Sequence, residues 1–185
     1  LDEKELESVN KKNTVETNEK ALELVQGLGL SVTSAFIVNP DYGRREFARL
    51  REYITRHRIS VPQFTVLTPL PGTEFFKEIE NKILTRNYEL YDFLHSVLPT
   101  RLDPAEFYKE FASLYQAAYI RTGVLRRRAV PLLTGLLTRR LSLRHMRRIL
   151  KAARKFADAA SYQKALDSLR DSGKTGERLP HPPPQ

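Results

Sequence analysis

The sequence predicts an α/β protein, in which the C-terminal portion of a partial, TIM-like β/α barrel is followed by an α-helical extension. Two observations carry this prediction. Helix and strand patterns alternate over the first 83 residues, and each predicted strand ends in a proline-containing turn. Beyond residue 104 the spacing of apolar residues is helical, up to a tail rich in Gly and Pro.

The first predicted helix covers residues 14–30. Thr14 can cap its N-terminus, apolar residues recur with helical spacing, and Gly29 stands where a C-terminal glycine is favoured. The pattern then changes to a β-branched and aromatic run at residues 31–38. This run predicts a buried strand that ends in the turn at residues 39–41.

A second helix and strand follow in the same order. Helix is predicted over residues 43–57 and strand over residues 63–67, and a proline-rich loop at 68–73 then leads into a short helix at 74–83. Such alternation is typical of parallel βαβ units. Two apolar parallel strands require cover on both faces and neighbours on both edges. Either other strands come from a missing part of the polypeptide, or this chain cannot fold properly by itself.

The remaining sequence is predicted to be helical and irregular. Residues 87–98 are aromatic without a clear period, and a helix is predicted over 104–121. Asp103 is a good N-cap, Pro104 suits the first helical position, and Glu106 lies where a capping box is nearly formed. Further helices are expected over residues 124–138 and 142–171, before a disordered tail at 173–185. The predicted organisation is therefore four segments: residues 1–83, 84–120, 121–172 and 173–185.

Composition excludes several kinds of chemistry. The chain has no cysteine, so it cannot form a disulfide, a thiolate zinc site or a cysteine-held iron–sulfur cluster. Its four histidines lack metal-ligand spacing, and no metal is assigned. No apolar run reaches the ~20 residues of a membrane-spanning helix. A cytoplasmic location is predicted, with peripheral attachment at the inner membrane face as an open alternative.

Several segments resemble the cobalamin-binding radical S-adenosylmethionine (SAM) family. Residues 64–73 resemble the last barrel strand of that family and its Pro-x-Pro-Gly-Thr turn, and residues 10–14 and 35–40 resemble the preceding helix–strand unit. Residues 85–95 and 98–108 resemble most closely the hopanoid-methylating members. The resemblance covers roughly residues 5–120.

The resemblance implies a methyltransferase that uses SAM, a 4Fe–4S cluster and cobalamin to methylate an unactivated carbon of a hopanoid-type lipid. The cobalamin domain and the cluster-binding CxxxCxxC loop of the family lie in an N-terminal region that this chain lacks. The sequence begins with Leu1, and its only methionine is Met146, so we expect that region to precede it in a longer polypeptide. This chain is then the last two β/α units of the barrel with its C-terminal extension, catalytically incomplete alone.

The resemblance also implies where SAM would be bound. Active sites of parallel β/α barrels lie at the carboxyl ends of the strands. By resemblance, residues of the first strand would pack near the adenine of SAM, and the loop after the second strand would line the same pocket. The cofactor-binding candidates are Phe36, Ile37, Val38, Asn39, Thr68, Pro69 and Leu70. The alternative is that they are only barrel core and turn residues.

His95 is the single weak candidate for a catalytic residue. It lies near Tyr88, Tyr91 and Asp92, in an aromatic setting where an imidazole could donate or accept a proton. A packed or surface histidine is the alternative interpretation.

Positive charge is concentrated in residues 121–155. This segment holds twelve of the 31 Lys and Arg residues and no acid, so the net charge of +9 belongs to it. Arginines that flank leucines favour binding to an anionic membrane surface. Nucleic-acid binding is a weaker interpretation, because the segment has few aromatic side chains that could stack on bases. An ordinary helix pair with a solvated basic face is the third interpretation. These helices also permit a second hypothesis, a non-enzymatic binding or scaffold protein recruited to an anionic membrane.

Overall fold

The computed structural model describes residues 14–30, 32–59, 61–120 and 143–171. Its elements, in chain order, are α1 (Val15–Gly27), β1 (Thr33–Val38), α2 (Arg44–Arg56), β2 (Val61–Val66), α3 (Glu74–Glu78), α4 (Pro104–Tyr115), α5 (Leu143–Phe156) and α6 (Ala159–Asp171). Two short 3-10 turns follow α3, and a π-helical turn at Gln116–Ile120 extends α4. The prediction of a mixed α/β protein is confirmed.

The helix boundaries follow the capping residues. Thr14 accepts a hydrogen bond from the backbone N–H of Thr17, and Asp103 accepts one from Ala105, so both predicted N-caps are confirmed. Glu106, which lies where a capping box is nearly formed, pairs instead with Arg44 of α2.

The C-terminal helix predicted over residues 142–171 is two helices in the structure. The first ends at Phe156 and the second begins at Ala159. The side chain of Asp158, just before the second helix, accepts a hydrogen bond from the N–H of Ala160. The predicted helix at 124–138 and the tail at 173–185 lie outside the described residues.

The two strands form a parallel sheet in which Phe36 is paired with Phe64 and Val38 with Val66. One face of this sheet is buried and carries Phe36, Val38, Phe64 and Val66. The opposite face, called the open face below, is exposed and carries Thr33, Ala35, Ile37, Val61 and Gln63. This alternation follows from the two-residue period of a strand.

Helices α2 and α4 cover the buried face with aromatic side chains. The ring of Phe47 from α2 meets Phe107 of α4 edge-on at 5.5 Å, and Tyr115 of α4 meets Phe64 at 5.0 Å. Helices α5 and α6 pack behind α4. Tyr162 of α6 stacks on Tyr108 at 5.6 Å. Such aromatic pairs prefer offset and edge-on geometry, and they fill the core with large apolar area.

The outer edge of β2 is occupied by groups that are not strands. The hydroxyls of Tyr115 and Tyr119 donate hydrogen bonds to the backbone carbonyls of Phe64 and Pro62, at 2.9 and 2.7 Å. At the strand end, the N–H of Val66 donates to the carbonyl of Phe93 at 2.6 Å. Pro62 itself has no N–H to satisfy. The expectation of a neighbouring strand on both edges is therefore wrong for β2.

The outer edge of β1 differs. Val32 and Val38 accept hydrogen bonds from Val61 and Leu67, so the alternate residues of β1 direct their backbone groups away from β2. In the part of the chain that the structure describes, no strand pairs with that edge. The sheet is therefore closed at β2 and open at β1.

Candidate functional site

Three segments meet at the carboxyl ends of the two strands. The N–H of Leu67 bonds to the carbonyl of Val38, which holds the two strand ends side by side. The N–H of Arg101 donates to the carbonyl of Pro40 at 3.0 Å, so the segment before α4 returns to the end of β1. The carbonyl of Phe93 caps β2 at Val66. These contacts define the candidate site.

The predicted cofactor contacts on β1 lie on opposite faces of the sheet. Phe36 and Val38 are buried in the core, and the Phe36 ring stacks on Phe64 and meets Tyr53 of α2 edge-on. Ile37 lies on the open face with 62% of its surface exposed. Among these three side chains, Ile37 is thus the one available to a ligand on the open face.

The remaining predicted contacts form the turns after each strand. Asn39 is exposed, and its side-chain oxygen accepts a hydrogen bond from the N–H of Asp41. Thr68 is buried and donates its hydroxyl to the carbonyl of Val66 at 2.9 Å. Pro69 is fully buried, whereas Leu70 is 39% exposed. The structure thus brings the predicted residues to one end of the sheet and leaves Ile37, Asn39 and Leu70 accessible there.

Phe93 is a residue of the site that sequence reasoning missed. Its φ is +63°, a left-handed conformation that is unfavourable for a bulky side chain, and its ring is 44% exposed. The conformation is held by Asp92, whose Oδ1 accepts hydrogen bonds from the N–H groups of Leu94 and His95. No sequence signal marks a phenylalanine for positive φ.

His95 is a packed histidine joined to a carboxylate. Its Nδ1 lies 2.9 Å from Oδ2 of Asp92, and only 7% of the residue is exposed. Its ring lies 6.1 Å from the rings of both Tyr108 and Tyr162. The hydrogen-bonding atom left over, Nε2, is buried and has no hydrogen-bond partner among the described residues. The packed interpretation fits this geometry better than a proton donor open to a ligand.

The other members of the predicted histidine cluster are arranged differently. Tyr88 and Tyr91 pack on each other at 5.2 Å, and Tyr91 donates its hydroxyl to the carbonyl of Thr85. Of the predicted set, Asp92 alone is hydrogen-bonded to His95. Burial by itself would raise the pKa of Asp92, but hydrogen bonds from His95 and from the N–H of Leu94 outweigh it and hold that pKa below its usual value.

The chain's residues do not fit a 4Fe–4S cluster. Such clusters are held by cysteine thiolates, and none of the 185 residues is a cysteine. Among the described residues, no group of three or more His, Asp or Glu side chains could hold a metal ion. Within those same ranges, every helix is too short or too polar to cross a bilayer.

Comparison with known proteins finds methyltransferases that are similar to this chain. The chain is 34% identical over 122 residues to hopanoid C-3 methylase of Methylococcus capsulatus. The aligned residues cover 64% of this chain and 23% of that protein. It is 30% identical over 128 residues to bacteriochlorophyllide d C-8(2)-methyltransferase of Chlorobaculum tepidum, covering 66% of this chain and 28% of that protein.

A third relative is bacteriochlorophyllide d C-12(1)-methyltransferase of Chlorobaculum tepidum, 26% identical over 125 residues, or 66% of this chain and 27% of that protein. The chain spans about a quarter of the length of these relatives. No family model and no solved structure matches it. Over about 65% of its length, the chain is similar to members of the cobalamin-binding radical SAM family.

Proposed function

We propose that this chain is the C-terminal part of a cobalamin-dependent radical SAM methyltransferase that methylates an unactivated carbon of a hopanoid-type lipid. In this proposal it supplies the last two strands of a partial β/α barrel and one wall of the SAM and substrate site. The cluster and cobalamin would be held by an N-terminal region, which is the chain's main partner.

The observation that carries the proposal is the difference between the two sheet edges. An unpaired row of backbone groups is costly to leave open, and β1 presents such a row while β2 is closed by Tyr115, Tyr119 and Phe93. A sheet of this kind can be extended only at β1. A preceding strand of the barrel would pair there.

The open face supports the same interpretation. In a β/α barrel the helices cover the outside of the sheet and the opposite face lines the interior. Here α2 and α4 cover one face, and the open face carries the exposed Ile37 and Val61. These side chains would become buried when the remaining strands enclose them.

The chain's own residues would contribute surface and orientation. Ile37 and Leu70 offer apolar contact, and Asn39 offers a polar side chain at the end of β1. Thr68 and Pro69 fix the course of the loop from within the core. SAM would supply the methyl group and the 5′-deoxyadenosyl fragment. The substrate class rests on the likeness to hopanoid C-3 methylase and on the apolar character of the exposed site residues.

The proposal is tested by rejoining the chain to the coding region that precedes it. The nucleotide sequence upstream of the Leu1 codon should encode, in frame, a CxxxCxxC motif. The longer polypeptide, reconstituted anaerobically with iron, sulfide and cobalamin, should release 5′-deoxyadenosine and transfer the labelled methyl group of SAM to a hopanoid. The 185-residue chain treated alike should release none.

Two results would contradict the proposal. One is formation of 5′-deoxyadenosine by the 185-residue chain alone. The other is a longer polypeptide that binds a cluster and cleaves SAM but methylates no hopanoid, which would reject the substrate class while retaining the reaction. A start codon directly before Leu1, with no upstream motif, would favour the non-enzymatic scaffold.

A further inference from the structure

Helix α5 carries a row of basic side chains along one face. Arg144, Arg147, Arg148, Lys151, Arg154 and Lys155 are all exposed, and their spacing of three or four residues puts them on one side of the helix. The row extends over about 16 Å. The helix has no acidic residue, so its charge is not offset from within.

The other side of α5 is attached to the core. Phe156 stacks on Tyr115 at 5.2 Å, and the side chain of Gln116 donates a hydrogen bond to the carbonyl of Ala157. Ala157 is buried. The basic row is therefore fixed to the folded unit at its C-terminal end and displayed outward.

Several basic side chains on other helices are paired with acids. Lys20 pairs with Glu16, Arg51 with Glu110 and Arg56 with Glu52. None of the six basic residues of α5 forms an ion pair with the described part of the chain, and the nearest acid in sequence, Asp158, instead caps α6. Like charges one turn apart destabilise a helix. A purely structural role does not explain this arrangement of like charges. An external anionic surface would reduce the repulsion between the basic side chains of α5.

We infer that the basic row of α5 binds the surface of an anionic phospholipid bilayer. The row lies on one helix and includes no aromatic side chain that could stack on a base, which favours lipid phosphates over single-stranded nucleic acid. The choice of a bilayer also rests on the proposed lipid substrate, which an enzyme must take from a membrane.

Vesicle binding tests this inference with the 185-residue chain. The chain should sediment with vesicles of three parts phosphatidylcholine to one part phosphatidylglycerol, not with pure phosphatidylcholine, and salt should release it. Each basic side chain near an anionic surface contributes about fivefold to binding. Arg147→Gln with Arg148→Gln should thus reduce the partition coefficient about 25-fold.

Two matched variants test whether binding depends on the basic row of α5 or only on the net charge of the chain. Arg45→Gln with Arg49→Gln removes the same charge from exposed sites on α2 and should change binding by at most about twofold. Arg147→Lys with Arg148→Lys keeps the charge of α5 and should bind as the parent chain does. Circular dichroism checks that all variants keep the parental helix content.

Several outcomes would overturn the inference. Equal losses in the α2 and α5 glutamine variants would assign binding to net charge alone. Tighter binding to duplex DNA than to vesicles in the same buffer, lost in the α5 variant, would assign the row to nucleic acid. Release by inorganic phosphate at matched ionic strength would indicate a site for free phosphate. None of these measurements needs SAM or a cluster. A negative result would therefore reject membrane binding by α5 without rejecting the proposed methyl transfer.

Discussion

The hydroxyl of Tyr115 donates a 2.9 Å hydrogen bond to the backbone carbonyl of Phe64, and the ring of Tyr115 meets the ring of Phe64 edge-on. One side chain of α4 thus both covers β2 and closes its outer edge. A backbone carbonyl at a strand edge would otherwise need water or another strand.

Removal of this hydroxyl should be costly. Tyr115→Phe keeps the ring but leaves a buried carbonyl without its partner, which should lower the free energy of unfolding by about 1–3 kcal/mol in urea denaturation. Tyr88→Phe is the control, because Tyr88 is 40% exposed, and it should change stability by at most about 0.5 kcal/mol. Equal midpoints for the parent chain and Tyr115→Phe would refute the role of the hydroxyl.

The same residue predicts a loss of stability in alkali. Burial raises the pKa of Tyr115 from 10.0 to about 12. The folded state therefore favours the neutral phenol. Its contribution is complete below pH 10 and is lost as the pH rises toward 12. Across that pH interval, the urea midpoint of Tyr115→Phe should fall less than that of the parent chain. Some fall should remain in the variant, because burial also raises the pKa of Tyr162.

Phe93 should show the signature of a left-handed backbone. Its φ of +63° costs an L-residue about 1 kcal/mol or more that glycine does not incur. Phe93→Gly should accordingly be more stable than Phe93→Ala by about 1 kcal/mol in thermal or urea unfolding. At exposed Ala48 within α2 the order should reverse, so that Ala48→Gly is destabilising. If alanine is preferred at both positions, Phe93 does not hold the assigned conformation.

The Asp92 turn should be sensitive to acid. The hydrogen bonds from His95 and Leu94 hold the pKa of Asp92 below its usual value despite partial burial. A lowered pKa stabilises the fold above the pKa of the unfolded chain, and this stabilisation is lost as the pH falls through the folded value. Asp92→Asn should be less stable than the parent at neutral pH. That difference should shrink below about pH 4, and a constant difference at all pH values would contradict it.

Capping and periodicity predicted the local structure well. The helix start at Thr14 and the helix start at Asp103 were both readable, because a short polar side chain beside an apolar period has few other roles. The strand predicted at residues 63–67 lies instead at Val61–Val66. Its position is set by pairing with β1 and by the tyrosines of α4, which are tertiary contacts that the segment itself does not encode.

The site was predictable only where its contacts join residues that are close in sequence. Asp92 and His95 are three residues apart, so their contact followed from proximity in sequence. Tyr162 reaches the His95 ring from 67 residues away, and no local pattern could indicate it. The seven cofactor candidates came from resemblance, and strand alternation then separated the accessible Ile37 from the buried Phe36 and Val38.

The closure of β2 also sets an order of events during synthesis. The ribosome makes β2 before Tyr115, so 51 residues must be added after Phe64 before its carbonyl can meet the hydroxyl. At typical elongation rates this leaves the strand edge uncovered for about 3–10 seconds. During that interval the nascent chain is most vulnerable to pairing with a strand of another molecule, and a pause in translation before α4 would prolong the risk.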